Sequence, residues 1–286
     1  MPLVSVIVLN YRTPQETITC VQNVQKQTIA DQIEIIVVEN HSEDESIGVL
    51  RNRLQKYDNI RIIETPRNLG FGGGYDKGIA FAGGTYILIN NPAKILQRDG
   101  IEKLVIAMEQ DPAIGIIAPK LVHDDGTLRS SVRSFPTPLD VIIKRTPLRH
   151  LFPRRLAHYV HHDVDSQQKQ NIDWVVGGCL MIRRDLFAEI GGFDKRFFLF
   201  FEDIDLCRRI HLKGKKVVYD PSVTATDRKR RLSGEGLWDL FFTKTGRIHV
   251  MSALKYFWKW HLTLIYPSST LSAHHEHGPP QSSGTR

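Results

Sequence analysis

The sequence predicts an α/β fold in which a mostly parallel sheet is covered by helices on both faces. Two observations carry that expectation. The first third of the chain alternates short apolar runs with helical stretches, and the apolar runs end in polar residues. The composition is that of an ordinary globular chain, 286 residues with 41% hydrophobic and 24% charged. That length suits one large α/β domain with additions, or two small domains.

The elements follow in order. Residues 4–10 (VSVIVLN) form a buried strand run, and Thr13 with Pro14 opens a helix to about Lys26, proline being favoured at an early helical position. Residues 34–40 (EIIVVEN) give a second strand and 42–57 a second helix. Residues 60–65 (IRIIET) give a third strand, and the glycine-rich turn 68–74 (NLGFGGG) leads into a third helix through Gly83. Residues 85–90 (TYILIN) are a fourth strand and 114–119 another. Ligands of such sheets sit at the carboxyl ends of strands. Asn10, Glu39 with Asn40, and Asn90 with Asn91 are therefore expected to converge on one crevice. Residues 135–170, with prolines at 136, 138, 147 and 153, read as a long and partly mobile excursion. Residues 274–286, rich in His, Gly, Pro and Ser, read as a disordered tail.

Three cysteines, Cys20, Cys179 and Cys207, lie far apart without CxxC spacing. Neither a disulfide framework nor a zinc site is expected, and a reducing cytosol is the default. No leader and no run of transmembrane length is read from the sequence. The net charge of +7 gathers at 144–155 (KRTPLRHLFPRR) and at 228–231 (RKRR). Solvated loops, nucleic acid, a phosphorylated small substrate and an anionic membrane all suit such clusters. No nucleic-acid motif accompanies the charge, so nucleic acid is not an expected partner.

Chemistry concentrates at residues 197–209 (FFLFFEDIDLCRR), where Glu202, Asp203 and Asp205 follow five residues of apolar or aromatic character. Carboxylates beside so much apolar surface are costly to desolvate unless paired or given a task. A helix start whose acids suit its dipole, with Arg208 and Arg209 one turn on, is the alternative at this point. Upstream, residues 174–194 carry Trp174 and the glycine pairs Gly177–Gly178 and Gly191–Gly192.

Five motifs in order, VSVIVLNYRT, IIVVENHSEDES, NLGFGGGYDKGI, WVVGGCLMIRRDLFAEIGGFD and FFEDIDLCRR, resemble the family 2 glycosyltransferases, inverting enzymes of GT-A fold. Within that family the chain looks most like the rhamnosyltransferase-type branch, from Val4 to about Lys259. The resemblance implies a GT-A (Rossmann-like) sheet with a C-terminal helical extension. It divides the chain into a nucleotide-sugar half at 1–120, an acceptor and catalytic half of the same domain at 121–235, a helical segment at 236–273 and the tail at 274–286. The implied reaction transfers a sugar, a deoxyhexose such as rhamnose, with inversion. Its donor is a nucleoside-diphosphate sugar carrying UDP or dTDP, and its acceptor a glycan or polyprenyl-linked precursor at the cytoplasmic membrane face.

A uracil or thymine ring offers one N–H between two carbonyls, and Glu39 beside Asn40 supplies an acceptor next to donors. A cap on the following helix is the alternative role for Glu39. Asn10 and Tyr11 complete that wall, with core packing the alternative for Tyr11. Asn68 and Gly70 belong to a turn whose glycines permit close backbone approach to a ligand. By the resemblance Asp203 is the general base that takes the acceptor proton, Glu202 positions acceptor or base, and Asp205 caps or braces the helix. Trp174, Gly177 and Gly178 wall the acceptor in the same reading, a core aromatic being the alternative for Trp174.

The chain also departs from the family pattern. The family ends its fourth strand with an acidic motif that holds Mg or Mn. Here Pro92 and Ala93 occupy that place, and neither ligates a hard cation. Asn91, also a nucleotide-side residue, and Asp227 are left as candidate ligands. Arg228, Arg230 and Arg231 are placed to offset diphosphate charge without metal. The alternative function is thus a degenerate transferase that binds nucleotide sugar and turns over slowly or not at all. Residues 142–156 interleave apolar side chains with Lys144, Arg145, Arg149, Arg154 and Arg155. Residues 249–266 join Phe257, Trp258 and Trp260 to Lys255 and Lys259. Both patterns suit a helix in the headgroup region of an anionic membrane, and hence a cytoplasmic enzyme at the inner membrane face. Aromatic packing on the core is the alternative for the second.

Overall fold

The computed structural model describes residues 1–159, 166–228 and 243–260. Strands β1 (Val4–Asn10), β2 (Ile33–Glu39), β3 (Ile60–Glu64) and β4 (Tyr86–Asn90) run parallel, linked by α1 (Pro14–Val24), α2 (Ser46–Leu54) and α3 (Gly70–Ile79). Their spatial order is β3-β2-β1-β4. The chain therefore steps outward from β1 to β3 and returns to the other flank of β1. That reversal opens a crevice at the carboxyl ends of β1 and β4.

Beyond β4 the sheet is mixed. It continues through β10 (Cys179–Arg183), β6 (Ile114–His123), β11 (Lys216–Asp227) and the short β5 (Lys94–Leu96), with β8 (Gln170–Asn171) paired to β11. β10 is antiparallel to both β4 and β6, because the chain re-enters the sheet from the crevice end, Cys179 opposite Asn90. A separate ribbon joins β7 (Val132–Arg133) to β9 (Trp174–Val175).

Alternation along β1 divides the core into two layers. Val4, Val6 and Val8 pack with α1, α2 and α4 (Gly100–Gln110). On the other face Ile7 packs with α3, α7 (Arg184–Glu189), α8 (Glu202–Leu212) and α9 (Lys244–Lys259). Gly72 and Gly74 lie inside α3 rather than in a turn before it, and Gly78 lies in the same helix. A Cβ on Gly78 would come within 2.6 Å of Ile7 and 2.7 Å of Val38, so these glycines let the helix backbone settle onto the sheet.

The excursion at 135–159 is more ordered than expected. It forms α5 (Pro138–Arg145), a 3-10 turn (Pro147–His150) and α6 (Pro153–Tyr159). Thr137 and Asp140 cap α5 reciprocally, and Pro138, Pro147 and Pro153 take first helical positions, where they start helices instead of breaking them. Both halves expected from the sequence contribute strands to the one large sheet. α9 falls within 236–273, while the tail at 274–286 lies outside the described residues. No helix among the described residues is long and apolar enough to cross a membrane.

Candidate active site

At the ends of β1 and β2 the expected residues come together, already bonded to the protein. Asn10 accepts from the Thr17 hydroxyl at 3.0 Å and donates to Ser42 Oγ at 3.3 Å. The Glu39 carboxylate accepts the N–H groups of His41 (3.1 Å) and Ser42 (2.9 Å) and the Ser42 hydroxyl. Asn40 donates to Asn68 Oδ1 (3.1 Å) and the Gly70 carbonyl (3.0 Å), and accepts from the Leu69 N–H (3.0 Å). Tyr11 stands exposed at the rim, not in the core, with the Arg12 guanidinium 5.3 Å from its ring centre. Gly70 has φ +76°, and the space its side chain leaves is filled by the Phe198 carbonyl, which accepts the Phe71 N–H at 2.8 Å. The close approach expected at Gly70 is therefore made by protein, and its backbone is closed to a ligand.

The catalytic motif enters α8 through a turn in which Phe200 and Phe201 have φ of 69° and 68°. Left-handed backbone in bulky residues costs about 1–3 kcal/mol each and persists only where packing enforces it. α9 supplies that packing. Phe200 stacks on His249 at 4.9 Å, Phe201 on Tyr256 at 5.3 Å, and Ser252 Oγ donates to the Leu199 carbonyl at 2.8 Å. Asp205, fully buried, accepts from Arg209 (2.8 Å), Lys259 (2.5 Å) and Trp260 Nε1 (2.9 Å), and so braces α8 against α9. Tyr256, Phe257 and Trp260 thus face the core, and only Met251, Leu254 and Trp258 (83% exposed) keep apolar surface outward.

Glu202 and Asp203 form the first turn of α8. Asp203 is half-buried; its Oδ1 accepts the Ile204 N–H at 2.8 Å and its Oδ2 the Gly177 N–H at 2.7 Å. Glu202 is buried, and one of its carboxyl oxygens has no hydrogen-bond partner among the described residues. Burial, then the charge of Asp203, pushes Glu202 well above the usual carboxylate range. Burial also raises Asp203, opposed by the two N–H bonds and by nearby Arg133. When two such carboxyls interact, the better-solvated and hydrogen-bonded one stays ionised. Burial and hydrogen bonding thus favour a shared proton on Glu202 over Asp203.

The Gly177–Gly178 pair connects Asp203 to the turn after β4, since the Gly178 carbonyl accepts the Asn91 N–H at 2.6 Å. Trp174 does not join this site. It is 5% exposed within the core and donates Nε1–H to the Ser134 carbonyl at 2.7 Å, so the acceptor-wall expectation for its ring is corrected.

The expected ligands of a divalent cation are engaged elsewhere. Asn91 Oδ1 accepts the Ala93 N–H at 3.0 Å, closing its own turn. Asp227, at the end of β11, is buried and holds the Lys94 ammonium at 2.6 Å and the Arg129 guanidinium. Among the described residues no group of three or more His, Cys, Asp or Glu is placed to hold a metal. A hard cation wants open carboxylate oxygen, and the described residues do not fit one. Arg228 is exposed beside Asp227, while Arg230 and Arg231 lie outside the described residues. Lys94, Arg129 and Arg133 escaped the sequence reading. Lys94 had a signal, a lysine directly after Ala93 at the end of the β4 run; Arg129 and Arg133 had none.

A strand-end crevice with a carboxylate pair at one helix start belongs to the GT-A class of glycosyltransferases. The crystal structure of GalNAc-T7 with UDP, GalNAc and Mn2+ matches at TM-score 0.63 and 16% identity, over 98% of this chain and 59% of that one. The mannosyltransferase PcManGT from Pyrobaculum calidifontis, in complex with GDP-Man and Mn2+, matches at TM-score 0.58 and 17% identity, over 84% and 60%. At those identities the likeness shows the fold alone, and this chain spans only part of each neighbour. Residues 5–191 match glycosyl transferase family 2, and the chain belongs to that family. Residues 158–230 also match the N-terminal domain of galactosyltransferase. An N-acetylglucosaminyl-diphospho-decaprenol L-rhamnosyltransferase of Mycobacterium tuberculosis is 27% identical over 218 residues, 71% of this chain and 68% of the relative. Rhamnosyltransferase WbbL of Escherichia coli is 27% identical over 177 residues, 60% of this chain and 61% of the relative. The protein is a glycosyltransferase.

Proposed function

We propose that this glycosyltransferase moves a deoxyhexose such as rhamnose, with inversion, from a UDP- or dTDP-sugar to a hydroxyl of a polyprenyl-linked or polysaccharide acceptor. The observation that carries the reading is Asp203, a partly open carboxyl group held by Gly177 at the crevice. The acceptor oxygen attacks the anomeric carbon and its proton passes to Asp203. The bond to the diphosphate oxygen breaks on the opposite face, and its electron pair leaves with the diphosphate. Raised basicity suits Asp203 to this task, and protonated Glu202 spares the site a second adjacent charge. On the nucleotide side, Glu39 accepts the base N–H, with Asn10, Asn40 and Asn68 fixing its loop and Tyr11 at the rim. Arg228 is a further cation for the diphosphate. The names of the two rhamnosyltransferase relatives support the choice of sugar and of a lipid-linked acceptor.

Asp203→Asn tests the assignment. Transfer falls by about a hundredfold or more, while thermal stability and nucleoside-diphosphate binding stay at wild-type values. Full activity in the variant overturns it.

The cytoplasmic face of an anionic membrane is the proposed location. All three cysteines are free and buried, as suits a reducing compartment. Ile142, Leu148, Leu151 and Phe152 are exposed on the α5–α6 segment, with Arg149 and Arg154 exposed among them. Arg155 is engaged with Asp140 at 2.7 Å. Wild-type protein is expected to co-sediment with anionic vesicles at low salt, and Arg149→Gln with Arg154→Gln to weaken this by about 1 kcal/mol per charge. Absence of co-sedimentation by the wild type refutes the location.

A further inference from the structure

Lys94 is a buried lysine at the start of β5, just past the end of β4, rather than on the surface. β5 pairs with β11 in a register that sets Lys94 opposite Asp227, and the Arg228 N–H donates to the Ala93 carbonyl at 3.0 Å to close that end. The Lys94 side chain is 8% exposed and that of Asp227 0%. Its stem runs beneath Gly178, where an added Cβ would lie 3.3 Å from Lys94 Cε and 3.9 Å from Nζ. One residue earlier, Gly177 holds Asp203. A single glycine pair thus separates the ammonium from the carboxylate that takes the acceptor proton.

We propose that the Lys94 ammonium, seated on Asp227, binds the donor diphosphate directly, so that donor binding here requires no divalent cation. The inference rests on the nucleotide-sugar reading above and deepens it. A buried carboxylate is stable only with partners, and the two cations on Asp227 occupy the oxygens that a metal would need. Admitting a metal would mean expelling Lys94 and Arg129 from Asp227. An ammonium carries three donors, so it serves Asp227 and phosphate oxygens at once. As the anomeric C–O bond breaks, its electron pair stays on the departing phosphate oxygen, where a fixed nearby cation stabilises it without reorganising. Gly178 belongs to the same device, since its lack of a side chain leaves the space in which the lysine lies.

Calorimetric titration of the full chain with UDP and dTDP, once in EDTA and once in manganese chloride, tests the proposal. Affinity for the bound nucleotide is expected to agree between the two conditions within about threefold. Lys94→Met lowers that affinity by about tenfold or more and leaves uridine or thymidine binding unchanged. Because the single change strands Asp227, Lys94→Met with Asp227→Asn removes both charges and is read in the same way. Binding that appears only with manganese overturns the inference and leaves the donor reading intact, as does wild-type affinity in the double variant. Absence of UDP and dTDP binding in both conditions brings down the donor reading, and this inference with it.

Discussion

At the β1–β2 wall of the crevice the side chains of Asn10, Glu39 and Asn40 all find partners inside the fold. At the α8 wall, Glu202 keeps a buried oxygen without a hydrogen bond among the described residues, and Phe200 and Phe201 hold left-handed backbone. The first wall also turns through left-handed backbone, at Arg12, His41 and Glu43, but it stands through its own local bonds. The second is strained where a proton must move, and a distant segment, α9, holds it in place. Chemistry that needs an unfavourable carboxyl environment is thus housed in a fold whose stability is supplied elsewhere.

Gly70 joins the two walls, and its substitution is the harshest test of the contrast. Gly70→Ala drives a Cβ into the Phe198 carbonyl at a positive φ. Loss of about 3 kcal/mol or more is expected, with activity falling alongside. Gly48→Ala, inside α2 with nothing within 4 Å of the new methyl, is expected to gain about 0.5–1 kcal/mol instead. Urea unfolding of the two variants checks both signs, and equal effects would erase the distinction.

Lys259 tests whether α9 is what holds the strained wall. It reaches Asp194 at 2.7 Å and Asp205 at 2.5 Å. Lys259→Met removes a cation shared by these two carboxylates and is expected to cost about 3 kcal/mol. The turnover number should fall more than donor affinity, because the disturbance lies on the α8 side. Unaltered stability would show that the turn carries its own strain.

The smallest effect concerns Glu202. Between its ordinary value of 4.5 and its raised folded value, the native state keeps a proton that the unfolded chain has released. Wild-type stability therefore falls as pH rises through that window. Glu202→Gln lacks this slope, so the variant gains on the wild type by a few degrees in Tm at the alkaline end. Parallel melting profiles against pH would place the shared proton elsewhere.

Much of the fold was legible because it is locally written. The strand runs at 4–10, 34–40, 60–65 and 85–90 lie within one residue of β1 to β4, since continuous apolar runs that stop at polar residues leave little choice of register. Gly72 and Gly74 were misread as part of a turn, because their purpose is close contact with Phe193 and Leu9 and not a local dihedral. The excursion was misread through its prolines, although Thr137 and Asp140 spell a capping box in plain sequence. The carboxylate motif was visible, but which of Glu202 and Asp203 holds the proton depends on Gly177 and on burial.

By itself the sequence determined the alternation of strands and helices, the crowding of polar residues at strand ends and the motif order that marks the family. All of these are short-range patterns set by side-chain periodicity. Only the tertiary structure decided that β10 enters the sheet antiparallel, that α9 clamps the turn before Glu202, and that Lys94 and Arg129 close on Asp227. Those pairings join residues far apart in the chain through strand register and burial, and no local pattern encodes the desolvation that makes Asp227 take two cations as partners.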